Sequence, residues 1–411
     1  MQGVTELKYC RVCKSENLIV FLSLGPIPLS NSFLRKEQLT EPEPFFPLDV
    51  CFCSNCGMVQ LAQVVAPEIM FKDYAYLTGS SAPMKTHFTE MAERVIANLD
   101  LPAGSLVADI GSNDGTLLNQ FKQRGMRVLG IEPATNVAEL AERNGIDTVN
   151  EFFGEKTAQF ISHQKGRAKV ITATNVFAHV NDLDDFMQGI ITFLDDRGVF
   201  VIEVPYLVDM LTRVEFDTIY HEHLSYFSLR PLMALFKRFE MSIIDVERIR
   251  VHGGSIRVYA GKGKKKLSGA AADLLKFESE ARLDDVATCQ EFAEGVNRIK
   301  IELTTLLKEL KAKGHSIAGY GASAKGNILL NFCKIGTDII DYVSDTTPFK
   351  QGLYTPGMHI PIAQETRIHD SPPDYTLLLA WNYAEEILSK EHRYRQAGGK
   401  FIVPSPRPRI I

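Results

Sequence analysis

The chain has 411 residues, 45% of them hydrophobic and 23% charged, which is the make-up of a globular protein too long for one core, so two or three domains are expected. A formal net charge of −5 gives no reason to expect nucleic acid or an anionic membrane as a partner. No apolar run approaches the roughly 20 residues that span a bilayer, and the first residues lack the basic-then-apolar pattern of a signal peptide; a soluble, cytoplasmic, monomeric protein is expected.

Residues 1–70 show little helical periodicity and carry Pro26, Pro28, Pro42, Pro44 and Pro47. This predicts a small irregular module held by something other than a core. Two pairs, Cys10-x-x-Cys13 and Cys53-x-x-Cys56-Gly57, supply the alternative. Zn²⁺ favours four sulfur ligands, and a two-residue spacer lets both thiolates of a pair turn onto one ion. Cys51 is an alternative to Cys53, although its spacing to Cys56 suits a knuckle less well. Four sulfurs leave no open coordination position, so the zinc is read as structural.

An amphipathic helix is predicted over Met84–Asn98. From there to about residue 265, strands alternate with helices. The strands are placed at Ser105–Ile110, Arg127–Ile131, Thr148–Asn150, Lys169–Ala173 and Gly198–Val204. Unbroken apolar runs such as Val128-Leu129-Gly130-Ile131 suit strands buried on both faces, and so an α/β fold with a parallel, doubly wound sheet. The runs Ile243–Val251 and Ile256–Ala260 are placed as further strands.

The first strand ends in Asp109-Ile110-Gly111-Ser112-Asn113-Asp114-Gly115, and Glu132 and Pro133 follow the second. Glycines let the backbone turn tightly and approach a ligand, and an acid at the second strand end accepts hydrogen bonds from ribose hydroxyls. The spacing departs from Gly-x-Gly-x-x-Gly, which favours an adenosine ligand without phosphates, such as S-adenosylmethionine. Asp109, Gly111, Ser112, Asn113, Gly115, Glu132, Pro133 and Asn175 are the candidate cofactor-binding residues.

Asn175-Val176-Phe177-Ala178-His179 follows the fourth strand, at the edge where open α/β sheets bind ligands. Beyond the fifth strand stands Tyr220-His221-Glu222-His223-Leu224-Ser225-Tyr226-Phe227. Such a cluster is poor core material, and His and Glu can be tuned to exchange protons near neutral pH. Tyr74 and Tyr76 lie in a tyrosine-rich approach to this domain; the readings open for them are that one reaches its pocket or that they pack against the fold.

Residues 267–313 read as mainly helical. A second α/β unit opens at Ser316–Gly321, with further strands at Ile339–Val343, Tyr375–Ala380 and Lys400–Val403. Its turn, Gly319-Tyr320-Gly321-Ala322-Ser323-Ala324-Lys325-Gly326, has the Gly-x-Gly-x-x-Ala pattern, with Asp345 where a ribose-binding acid would stand. Lys325 beside a helix N-terminus favours a diphosphate. The readings open here are a sugar nucleotide, a nicotinamide-type cofactor and a structural remnant.

Together these motifs resemble the zinc-containing, S-adenosylmethionine-dependent sugar C-methyltransferases that act on nucleotide-linked 4-keto sugars. The resemblance covers nearly the whole chain. It implies three domains: a zinc-binding module (1–70), a Rossmann-like class I methyltransferase domain (71–265) and a second Rossmann-like domain (266–411). By it, His223, Glu222, Tyr220 and His179 match the active-site positions, joined by Tyr76 or Tyr74. Ser323, Lys325, Asn382 and Tyr74 are the implied contacts to a dTDP- or GDP-linked sugar. C3 methylation is expected, with C5 methylation, an O-methyltransferase or a non-catalytic sugar-nucleotide binder as the alternatives.

Overall fold

A computed structural model of the protein describes residues 3–70, 79 and 82–411. The N-terminal module is a β structure, not the irregular one expected. Strand β1 (Val4–Glu6) pairs with β5 (Gln63–Val65), while β2 (Leu18–Ile27), β3 (Phe46–Cys53) and β4 (Val59–Leu61) form an antiparallel meander. Pro26 and Pro47 face each other near the end of the β2–β3 ladder, beyond a register shift. There a missing N–H costs little. Leu22, Leu24, Leu48, Val50 and Phe52 are buried and belong to the large core shared with the rest of the chain.

The middle of the chain is a seven-stranded sheet. Strands β6 (Leu106–Ile110), β7 (Arg127–Ile131), β8 (Thr148–Val149), β9 (Ala168–Thr174) and β10 (Leu194–Pro205) are parallel, in the order β10-β9-β6-β7-β8. Central β6 is buried along its whole length, as its apolar sequence requires. A two-residue strand, β11 (Ser225–Tyr226), leaves this region and joins the N-terminal sheet beside β4. Strands β12 (Met241–Ile249) and β13 (Ser255–Lys262) then close the sheet as an antiparallel pair against β10.

A 27-residue helix, Val286–Ala312, leads to the C-terminal sheet. Its strands are β14 (Ile317–Tyr320), β15 (Val343–Asp345), β16 (Ile362–Gln364), β17 (Tyr375–Leu378), β18 (Lys400–Val403) and β19 (Arg409–Ile410). They lie in the order β16-β15-β14-β17-β18-β19, with only β19 antiparallel. Its first five strands repeat the order of the middle sheet, although the two sequences show no repeat. The strand expected at Ile339–Val343 starts only at Val343. Ile339 and Ile340 donate their amides back to Gly336, which makes the preceding residues a turn.

Candidate functional site

The four cysteines of the N-terminal module converge. Cys10 Sγ lies 3.6 Å from Cys56 Sγ, Cys13 Sγ 3.6 Å from Cys53 Sγ, and all four sulfurs lie within 4.8 Å of one another. Tetrahedral zinc with bonds of about 2.3 Å sets its sulfurs about 3.8 Å apart, so the residues fit the ion. Cys51 is outside this group. Arg11, between the first two ligands, is 5% exposed and donates from Nη1 to the carbonyl of Asn181 at 2.7 Å. The module therefore holds the chain just past His179.

The glycine turn lies at the carboxyl edge of the middle sheet. Gly111 has φ 65°, and a Cβ there would stand 2.4 Å from Val176 Cγ2, which presses the turn against the segment leading to His179. Glu132, buried at the end of β7, accepts from the amides of Asn113 at 3.0 Å and Ala134 at 2.9 Å. Burial raises its carboxyl above the ordinary range against those two donors. Asp109 accepts from Thr172 Oγ1 at 2.6 Å and is pushed up to about 7 by burial. Ser112 Oγ is buried with no hydrogen-bond partner among the described residues. Gly115, at φ 77°, caps the next helix. Asn175, at φ 56°, donates its amide to the Glu203 carbonyl, and Pro133 stays exposed beside Glu132. An orphaned hydroxyl and a buried acid at strand ends fit the hydroxyl-rich adenosine of S-adenosylmethionine.

The histidine segment closes over this edge. Tyr220 Oη stands 2.7 Å from His223 Nε2, and His223 Nδ1 stands 2.8 Å from the Thr218 carbonyl. A carbonyl only accepts, so Nδ1 carries the proton and Nε2 offers its lone pair to the Tyr220 hydroxyl. The His179 ring meets that of His223 edge to face, with centroids 4.9 Å apart. Burial lowers the His179 pKa to about 4, against hydrogen bonds to the backbone of Glu222 and Asn175, and so keeps it neutral. Glu222 accepts from Asn31 Nδ2 at 2.7 Å, and burial raises its carboxyl. Asn31 comes from the loop after β2, and nothing local in the sequence marks it. His221 turns the other way, bonds the Phe46 carbonyl at 3.3 Å and packs on the Phe46 ring, so it serves the fold.

The C-terminal turn mirrors the first. Asp345 accepts from the amides of Ala322 at 2.6 Å and Thr347 at 2.7 Å, as Glu132 does from Asn113 and Ala134. Ser323 Oγ caps its helix through the Gly326 amide at 3.0 Å. Lys325 Nζ faces Glu215 Oε2 at 3.6 Å, and Trp381 Nε1 donates to Asp217 Oδ2 at 2.6 Å. Both contacts reach the turn that precedes Tyr220 and His223. Asn382, half-buried, follows Trp381. Tyr74 and Tyr76 lie outside the described residues.

Three families match successive parts of the chain: a "Putative zinc binding domain" over residues 10–71, a "Methyltransferase domain" over 85–246 and a "C-methyltransferase C-terminal domain" over 250–406. The chain is 37% identical to the C-methyltransferase NovU of Streptomyces niveus over 410 residues, covering 99% of this chain and 98% of that protein. Among solved structures, magnesium protoporphyrin IX methyltransferase from Synechocystis with bound S-adenosylhomocysteine matches 48% of this chain and 92% of its own at 13% identity, with a TM-score of 0.36. The Bacillus subtilis YcgJ protein matches 44% of this chain and 99% of its own at 14% identity, with a TM-score of 0.34. The four-sulfur cluster, the adenosine-type turn and the full-length relative agree: the chain belongs to the zinc-containing, S-adenosylmethionine-dependent C-methyltransferases.

Proposed function

We propose that the protein methylates a carbon beside the ketone of a nucleotide-linked 4-keto-6-deoxy sugar, at C3, and that the units 1–70, 71–265 and 266–411 act as zinc module, cofactor domain and sugar-nucleotide domain. The observation that carries this reading is the Tyr220–His223 pair, 2.7 Å apart and edge-on to a neutral His179, next to the turn fitted to the cofactor. A carbon acid beside a carbonyl needs a base near the carbon and donors near the oxygen. His223 Nε2, already polarised toward a hydroxyl, is the base. Tyr220 and His179 donate to the oxygen that becomes anionic. Glu222, whose carboxylate bonds Asn31 and no histidine side chain among the described residues, holds the sugar. Bound S-adenosylmethionine supplies the electrophilic methyl group.

Lys325, Ser323 and Asn382 stand on the C-terminal edge that would face the nucleotide of a dTDP- or GDP-linked sugar; Tyr74 or Tyr76 is the further contact that the family resemblance implies. Lys325 keeps Glu215 as its counter-ion, so a diphosphate would share that cation. The test is incubation with S-adenosylmethionine and a panel of 4-keto-6-deoxy sugar nucleotides, locating the new methyl by NMR. A methyl at C5 or on oxygen, or no turnover on any ketone, overturns the assignment.

A further inference from the structure

The turn that precedes the histidine segment, residues 213–218, is gripped by the C-terminal part of the chain. Val214 within it has φ 53°, a conformation that a β-branched residue keeps only where its surroundings impose it. Ser405 Oγ stands 2.9 Å from the Arg213 carbonyl and 3.1 Å from that of Val214, as donor. Phe216, 1% exposed, packs on Phe332 with ring centroids 5.4 Å apart. Trp381 Nε1 donates to Asp217 Oδ2 at 2.6 Å, and both residues are buried. A hydrogen bond to a carboxylate away from water is among the strong ones.

The turn ends on the atom that sets His223. The carbonyl of Thr218, the residue after Asp217, accepts from His223 Nδ1 at 2.8 Å. Which imidazole nitrogen carries the proton is set by the hydrogen bond that the other atom of the pair makes. With this carbonyl in place the proton stays on Nδ1, and the Nε2 lone pair faces Tyr220. With the carbonyl displaced, the proton is free to sit on Nε2, and that tautomer cannot accept another there. The charged groups acting on this turn are Lys325, which attracts both Asp217 and Glu215, and Arg213 and Asp209 beside Glu215. Lys325 acts on Asp217 through charge alone, whereas Trp381 is the side chain that bonds it.

We propose that Asp217 and Trp381 are positioning residues that hold His223 in its Nδ1-protonated tautomer, by fixing the turn that carries the Thr218 carbonyl. The catalytic consequence rests on the reading of His223 as the base. The C-terminal part of the chain then does more than bind a ligand. It sets the proton of the base, and the site is complete only when that part is docked on the 213–218 turn.

The test uses the full-length, zinc-loaded protein with isotope-labelled histidine rings. Proton–nitrogen correlation NMR separates a protonated ring nitrogen from an unprotonated one. The His223 signals, assigned by their loss in His223→Asn, should show a protonated Nδ1 and an unprotonated Nε2 in the wild type. Trp381→Phe keeps an aromatic ring and removes the donor. Its His223 signals should move toward each other as the tautomers mix. Its kcat on a 4-keto-6-deoxy sugar nucleotide should fall at least ~10-fold with the KM for S-adenosylmethionine unchanged, a small share of what losing a direct tautomer-holding partner costs. Asp217→Asn keeps an acceptor for Trp381 and should fall between the wild type and Trp381→Phe in both readouts. A folded Trp381→Phe protein with a lower melting temperature but wild-type His223 signals and kcat makes the pair a plain structural contact and overturns the proposal. Should Trp381→Phe fail to fold, Asp217→Asn decides by the same two readouts, and wild-type values in it overturn the proposal. Mixed tautomers in Trp381→Phe together with wild-type turnover in His223→Asn would leave the positioning in place and overturn the base reading, which is a separate result.

Discussion

Arg11 donates to the carbonyl of Asn181 at 2.7 Å, so a residue lying between two zinc-ligand cysteines grips the chain two positions beyond His179. The metal module is thereby a buttress for the histidine edge. Replacing Arg11 by Met keeps most of the buried stem and removes the charged donor. Hydrogen bonds from charged groups contribute about 1.5–3 kcal/mol, and a loss of that size is expected in urea unfolding. Zinc content by elemental analysis should stay at one ion per chain. Unchanged stability would show that the grip contributes nothing.

Losing the metal itself should do more. Strand β11, directly after His223, is hydrogen-bonded to β4 of the zinc module, with Ser225 opposite Gln60 and Tyr226 opposite Val59. Metal binding free energy is folding free energy for such a module. Cys13→Ser should therefore release zinc, lower the melting temperature and depress turnover together. A zinc-free protein with wild-type melting and turnover would make the four sulfurs an incidental cluster.

Glu132 has two duties. Its carboxylate fixes the turn through the Asn113 amide, and its proposed second duty is to accept from the ribose hydroxyls. Glu132→Ala should weaken S-adenosylmethionine binding at least ~10-fold by calorimetry, since about 1.4 kcal/mol is tenfold and a hydrogen bond to a charged group contributes about 1.5–3 kcal/mol. Gly111→Val should also fail, for a different reason: its side chain would collide with Val176. A folded Glu132→Ala protein with wild-type affinity would place the adenosine elsewhere.

Much of this was legible in the chain because the informative patterns are local. The runs Val128–Ile131 and Val199–Ile202 are continuous and apolar because their strands are buried on both faces. Each glycine turn and its following acid stand within one β-α-β unit, so spacing alone placed Asp109, Gly111 and Glu132. The N-terminal sheet was not legible, since prolines at its ladder ends read as breaks and its fourth strand comes from residues 225–226. Asn31 and Arg11 meet the segments around Glu222 and His179 only through contacts spanning more than a hundred residues, which leave no periodicity. His221 shared the sequence signature of His223 and yet points into the Phe46 interface.

His221 gives the protein a definite pH signature. Burial lowers its pKa to about 4, against an ordinary 6.5, so the folded state refuses a proton that the unfolded chain accepts. Stability supported by neutral His221 is therefore intact above pH 6.5 and is lost as pH falls toward 4, at up to about 1.4 kcal/mol per pH unit. His179 acts in the same direction. Asp109 and Glu215, both raised to about 7 by burial, act in the opposite direction over much of that window. Comparison with His221→Gln isolates the one group. The stability advantage of the wild type should shrink between pH 6.5 and 4 in urea titrations; a constant gap would mean the imidazole is not held neutral.

The sharpest expectation concerns His223. Its Nδ1 proton is committed to the Thr218 carbonyl, which fixes Nε2 as the atom able to take a proton. Tyr220 Oη occupies that lone pair at 2.7 Å, so base and hydroxyl are already aligned for transfer. His223→Asn removes the base and keeps a polar group, and turnover should fall roughly 100-fold or more, the usual scale of general-base contributions. Cofactor and acceptor should still bind, because the lost interaction belongs to the transition state. With S-adenosylhomocysteine in place of the methyl donor, the wild type should exchange the acceptor's α hydrogen with deuterated water, and His223→Asn should not. Tyr220→Phe separates the two donors' duties: it leaves Nε2 without its hydroxyl and should slow exchange while His223 remains. Were His179→Asn to abolish exchange while His223→Asn exchanged normally, the base would be His179, and the 4.9 Å ring contact would make His223 its positioning partner. Exchange untouched in both variants would remove the ketone-activation chemistry altogether.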